Sequence, residues 1–199
     1  MSAQEQATQW LTAFDAALRQ GDIDGATAMF AEDSYWRDLL SFTWNLKTAE
    51  GRDQIRDMLQ ATLSTTQPSN WQLEGEAAEA EGVIEAWFNF ETAQSRGHGL
   101  LRLKEGQAWT LLTTMVELKG FEEAKGRTRP KGVAHGPHKG RKSWLELRQD
   151  EAANLGYSEQ PHVVIIGGGQ AGIILGARLR KLGVPTIIVE KNARAGDSW

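Results

Sequence analysis

Gly167-Gly-Gly169-Gln-Ala-Gly172 follows the β-branched run Val163–Ile166 directly and precedes Leu175, Leu179 and Leu182 at helical spacing. These glycines act by lacking a side chain. Gly167 permits a tight turn, Gly169 lets backbone approach a pyrophosphate, and Gly172 lets a helix pack closely on a strand. The helix that opens here offers unpaired N–H groups and a positive dipole end to phosphate. Thr186–Val189 reads as a second strand, and Glu190 comes twenty-three residues after Gly167. A carboxylate at that place accepts from both hydroxyls of an adenosine ribose. It would repel a 2′-phosphate, so FAD and NAD both stay open. The candidate contacts are Gly167, Gly168, Gly169, Gln170, Ala171, Gly172, Glu190 and Lys191.

The elements that hold this turn are a strand, a helix ended by Gly183 and a second strand, which is a βαβ unit of a parallel sheet. Continuous apolar strands of this kind are buried on both faces in such sheets. Upstream, Ser143-Trp-Leu-Glu146 is a capping box that opens a short helix to about Asn154, closed near Gly156. Before it runs Gly126 to Lys142, with four glycines and two prolines in seventeen residues, which forbids regular structure.

Charge divides the 199 residues in the same way. Residues 1–125 carry 10 Lys/Arg against 20 Asp/Glu, residues 126–148 carry 7 against one, and residues 149–199 carry 5 of each; the net charge is −4. We expect a first domain over 1–125, a basic Gly/Pro connector with a short helix over 126–160, and a Rossmann start over 161–199. The connector suits either a nucleic-acid arm or a linker lying on acidic surface. It has no aromatic residue to stack bases, which favours the linker. His135 and His138 lie in it without Cys or acidic neighbours, short of the three or four ligands of a zinc site. There is no cysteine, hence no disulfide, thiolate metal site or thiol nucleophile. The N-terminus lacks the pattern of a signal peptide. Val163 to Ala177, the most apolar stretch, falls short of the roughly 18–20 residues that span a bilayer. We expect a cytoplasmic protein.

The first 125 residues read as helices followed by strands. Ser2 and Glu5 form a capping box for a helix bearing Trp10, Leu11, Phe14 and Leu18, ended by Gly21. Asp22 caps a short second helix to about Phe30. Ser34–Leu40 reads as a strand, and Gly51 opens a third helix that stops before Pro68. A meander follows: short Trp71–Glu74, then Val83–Thr92 with Ile84, Ala86, Phe88 and Phe90 on one face, then His98–Lys104 and Ala108–Lys119. That order gives an α+β domain whose helices cover one face of a curved antiparallel sheet.

Residues 5–120, with YWRDLLSFTWNLKTAEGRDQIRDML between the second helix and the meander, resemble the NTF2-like (SnoaL-like) superfamily. The resemblance implies a cone-shaped fold with a pocket, and possible homodimerisation. Asp38 is the best candidate for an acidic base in such a pocket; the plainer reading pairs it with Arg37 or a helix N-terminus. Trp36, Trp44, Trp87 and Trp109 could line the pocket or serve as core and interface anchors. His98 reads as a surface residue with a local hydrogen bond.

Arg194-Ala-Gly196-Asp-Ser-Trp199 resembles the turn after the second strand in flavin-containing and Baeyer–Villiger monooxygenases, with Asp197 where a second glycine is usual. Ser198 and Trp199 match positions that border FAD there. The two-part build resembles FAD/NAD(P)-dependent monooxygenases with an N-terminal NTF2-like domain. It implies bound FAD, NADPH as co-substrate bound by regions beyond this chain, oxygenation of a small organic substrate, and no nucleic-acid or membrane partner. The chain then reads as an N-terminal fragment, inactive alone. Another FAD- or NAD-dependent oxidoreductase, or an NTF2-like binding or dimerisation module, are the alternatives.

Overall fold

A computed structural model describes residues 1–129, 139–194 and 197. The chain divides into two compact units, Met1–Glu122 and Glu123–Trp199. The first contains α1 (Ala3–Gln20), α2 (Ile23–Ala28), β1 (Phe30–Leu39), β2 (Leu46–Glu50), α3 (Gly51–Thr66), β3 (Ser69–Ala80), β4 (Val83–Glu91), β5 (Ser95–Lys104) and β6 (Gln107–Leu118). The second contains α4 (Trp144–Asn154), β7 (Val163–Ile166), α5 (Gln170–Lys181) and β8 (Thr186–Val189).

Local chemistry sets the helix ends. Ser2 and Glu5 close the expected capping box, and Gly21 ends α1 at φ 68°. Asp22 caps α2 through the Gly25 N–H. Phe30 begins β1 rather than ending α2, because the helix closes at Met29 and Phe30 turns into the core at 0% exposure. The Glu81-Gly82 and Glu105-Gly106 turns have positive φ at both residues, as two-residue hairpins with right-handed strand twist require.

The six strands order as β2-β1-β6-β5-β4-β3. Four neighbouring pairs are antiparallel, but β1 pairs with β6 in parallel, Trp36 opposite Leu111. The sheet is therefore mixed, which corrects the purely antiparallel expectation: the chain crosses from one end of the meander to the other through α3. Both edge strands differ from the expectation. β2 is a five-residue edge strand. β3 runs twelve residues instead of four, because at the other edge its acidic and small residues face water and carry no alternating apolar signal.

Rings fill the concave side. Phe14 lies 4.7 Å from Trp10, 5.7 Å from Phe30 and Trp36, and 5.2 Å from Trp71. Trp71 stacks on Phe90 at 4.9 Å and Phe88 at 5.1 Å. Ile84, Ala86, Phe88 and Phe90 are buried, as the alternation of β4 dictates. The opposite strand makes room: a Cβ on Gly99 would lie 2.3 Å from the Leu112 carbonyl oxygen and from the Phe88 ring, and one on Gly97 2.3 Å from the Phe90 ring. Gly99→Ala is therefore expected to cost about 1–3 kcal/mol by overpacking. A lower urea midpoint at unchanged slope checks this; an unchanged midpoint would show that the ring yields freely.

Candidate functional site

The second unit builds the glycine turn as the spacing requires. β7 and β8 are parallel, Ile165 opposite Ile188, with α5 between them in sequence. Gly167 sits at φ 104°, a region open to glycine and costly for other residues. Its N–H donates to the Val189 carbonyl at 2.8 Å, which fixes the turn to the second strand. Gly169 is the N-cap of α5 in extended conformation, so its backbone alone does not demand glycine. A Cβ on Gly172 would lie 1.9 Å from the Gly167 carbonyl oxygen, so helix and turn touch backbone to backbone. The first turn of α5, over Gln170, Ala171 and Gly172, presents N–H groups that no intrahelical carbonyl can reach.

Glu190 meets this turn. Its carboxylate accepts from the Gly168 N–H and, at 2.8 Å, from the Asn192 N–H. These two backbone donors, Asn192 first, hold the acid below its ordinary value of 4.5, aided by the backbone and charge of Lys191. Lys191 itself is exposed. Residues 22 apart, Gly168 and Glu190, are thus joined at one place. Backbone donors for a pyrophosphate and a carboxylate with lone pairs to spare for hydroxyls stand side by side, so the residues present fit an adenine dinucleotide. Ser198 and Trp199 lie outside the described residues, as do His135 and His138.

Several features carried no forecast. A Cβ on Gly176 would lie 2.7 Å from Ile188 Cδ1, so a second small residue one turn after Gly172 lets α5 settle on β8. The recurrence of glycine four residues on was the available signal. The Asn192 donor has no side-chain signature at all. β7 also departs from the buried-strand expectation: Ile165 is 7% exposed, but Val164 is 55% and Ile166 89%. The described residues cover one face of the pair only. A groove of about 960 Å³ between α4, α5 and β8 is lined by Trp144, Arg148, Ile173 and Ile188 among others.

In the first unit, Asp38 is 0% exposed. Its carboxylate accepts from Phe42 N at 3.1 Å, Thr43 N at 2.9 Å, Thr43 Oγ1 at 2.8 Å and Thr113 Oγ1 at 2.8 Å. Thr113 Oγ1 also accepts from Trp36 Nε1 at 2.9 Å. Asp38 does not pair with Arg37, whose guanidinium donates to Thr48 on the other face. It organises the β1–β2 loop instead, with its lone pairs spent on donors, which a base must keep free. The tryptophans do not converge on one pocket. Trp36 is buried among rings, Trp44 is 57% exposed and Trp87 42%; Trp109 is half-buried. Trp87 stacks on His98 at 4.9 Å, and His98 Nε2 meets Glu74 at 2.7 Å, a contact from β5 to β3 rather than the local hydrogen bond expected of that histidine. No cluster of His, Asp or Glu that could hold a metal occurs among the described residues. No described helix is long and apolar enough to cross a membrane.

Gly172→Ala is expected to separate α5 from the turn, at a local cost of about 3 kcal/mol or more. Amide exchange in β7 and α5 should accelerate while the first unit keeps its protection; unchanged exchange would refute the close contact. Because the folded pKa of Glu190 is lowered, its clamp on Gly168 is complete above 4.5 and weakens as pH falls below that value. The Gly168 amide should lose protection over that acid range, and Glu190→Gln should remove the pH dependence.

The sequence profile of the SnoaL-like domain family matches residues 11–116, more than half of the chain. That of an FAD binding domain matches residues 160–197. No curated protein sequence matches. Among solved structures, a ketosteroid isomerase-like protein from Erwinia carotovora atroseptica is similar at 11% identity and TM-score 0.47, over 57% of this chain and 96% of that one. An NTF2-like protein of unknown function from Burkholderia pseudomallei is similar at 19% identity and TM-score 0.42, over 58% and 92%. With its mixed curved sheet, three covering helices and profile match, the chain belongs to the SnoaL-like domain family and carries a βαβ segment like the start of an FAD-binding domain.

Proposed function

We propose that the chain is the N-terminal part of an FAD- and NAD(P)H-dependent monooxygenase acting on a small organic substrate. The observation that supports the reading is the Glu190 carboxylate on the Gly168 N–H, since an acid able to accept from ribose hydroxyls then lies beside the glycine turn. Gly167 to Gly172 would hold the pyrophosphate with backbone N–H groups and the α5 dipole. Glu190 would accept from the ribose hydroxyls, and Lys191, Ser198 and Trp199 would border the cofactor. FAD, when bound, supplies redox chemistry toward NADPH and dioxygen. The protein's share is to orient it: Gly172 and Gly176 draw α5 against turn and strand, so the phosphate donors are rigid before a ligand arrives.

A second reading gives the SnoaL-like unit a binding or dimerisation role without chemistry of its own. The saturated Asp38 carboxylate favours it.

The bare face of β7 bears on cofactor retention. With Ile166 89% exposed, β7, α5 and β8 do not close a cofactor site. The 199-residue chain is expected to purify without stoichiometric flavin; a yellow protein with one flavin per chain would contradict this. In a polypeptide with the completed sheet, Gly169→Val should abolish flavin retention without unfolding the protein. Unchanged flavin absorbance in that variant would overturn the assignment of the turn.

A further inference from the structure

α4 leaves its apolar side chains in water: Trp144 is 71% exposed, Leu145 58% and Leu147 51%. It has 11 residues and buries none of them. A helix of that length is marginal on its own, so packing must hold it. Among the described residues, a glycine approach and an ion pair tie it to β8 and α5. A Cβ on Gly156, just past the C-terminal end of α4, would lie 2.7 Å from Ile187 Cδ1. Glu151 pairs with Arg180 of α5 at 3.1 Å. These residues all line the groove of about 960 Å³ that α4 makes with α5 and β8. Its hydrocarbon comes from branched aliphatic residues, Ile173, Ile187 and Ile188, and the short side chains of Ala152 and Ala177 leave room beside them. Its charges are unequal: among the described lining residues Arg148 and Arg180 are the cations and Glu151 is the one acid. Both arginines reach the same oxygen, Glu151 Oε2, at 3.0 and 3.1 Å. Arg148 also covers the Trp144 ring, 5.9 Å from its centre, so that aromatic face is taken.

We propose that this groove binds an aliphatic monocarboxylate, its head on Arg148 and Arg180 and its chain against Ile173, Ile187 and Ile188. A second carboxylate brings two guanidinium groups and Glu151 to charge balance. Each guanidinium has five N–H donors, enough to serve both acids. The volume is in the range that takes a small molecule, and a chain of about ten carbons suits it. An alkyl chain fits better than a ring, since the lining is aliphatic and Arg148 occupies the Trp144 face. The bound chain supplies the apolar cover that α4 lacks. This inference rests on α4, α5 and β8 and stands whether or not the glycine turn binds a flavin: the lining includes neither Gly167 to Gly172 nor Glu190.

The test titrates the 199-residue chain with decanoate, decan-1-ol and decyltrimethylammonium, each below its micellar concentration. The readouts are calorimetric affinity and the indole N–H resonance of Trp144 in labelled protein, identified by its loss in Trp144→Phe. Decanoate should bind once per chain and shift that resonance. The alcohol should bind about tenfold more weakly, having lost the charge-assisted contact, and the cation more weakly still. Arg180→Gln should weaken decanoate about tenfold and leave the alcohol unchanged. Glu151→Gln removes the competing acid and keeps both arginines, so it should tighten decanoate about threefold. Both substitutions break the same ion pair. Weaker decanoate binding in both would show that the pair only holds α4 in place, and would overturn the proposal. A Trp144 resonance that stays still would overturn it too. Equal affinity for all three amphiphiles would do the same, since it marks adhesion to any exposed hydrocarbon rather than a site for a carboxylate.

Discussion

Backbone reaches backbone at Gly172, where no Cβ stands between α5 and the Gly167 carbonyl. The arrangement of the second unit follows from that contact. It sets the angle at which the helix leaves the turn, aims the first-turn N–H groups outward, and lets Gly176 continue the approach onto Ile188 one turn later. Remove it and the donors no longer share one rigid frame with Glu190. The first unit uses the same device for another end. Gly97 and Gly99 leave space on β5 for the rings of Phe90 and Phe88, and those rings carry the concave core.

Electrostatics then finishes what sterics begins. Glu190 at the end of β8 neutralises two backbone donors, its pKa falling as it does so. Asp38 plays a comparable part at the end of β1, where it gathers the N–H groups of a loop that would otherwise leave them buried without partners. In both units an acid at the end of a strand organises the segment that follows. The difference lies in access. Asp38 is sealed under Phe42 and Thr113, whereas Glu190 sits at a turn with donors directed to solvent.

Much of this was legible in the sequence wherever a residue type has a strong local meaning. The capping boxes at Ser2 and Ser143, the helix stop at Gly21, the alternation of β4 and the glycine turn all follow from rules that act within a few residues. What escaped depends on partners distant in sequence. The long β3 has no apolar alternation because an edge strand need not bury both neighbours. The parallel pairing of β1 with β6 brings together segments some 75 residues apart, and no local pattern announces it. Asp38 reads as a pocket base or a partner of Arg37 until the loop folds back over it. Gly176 matters only because Ile188 comes to lie beneath it.

The central claim is that the turn from Gly167 to Gly172 and the Glu190 carboxylate form the two ends of one adenine-dinucleotide site. A structure of the flavin-loaded polypeptide tests it most directly. The account predicts the pyrophosphate over the N-terminus of α5, within hydrogen-bond distance of the backbone N–H groups of Gln170 or Ala171, and both ribose hydroxyls on Glu190. A flavin seated elsewhere, with Glu190 bound only to Gly168 and Asn192, would contradict it.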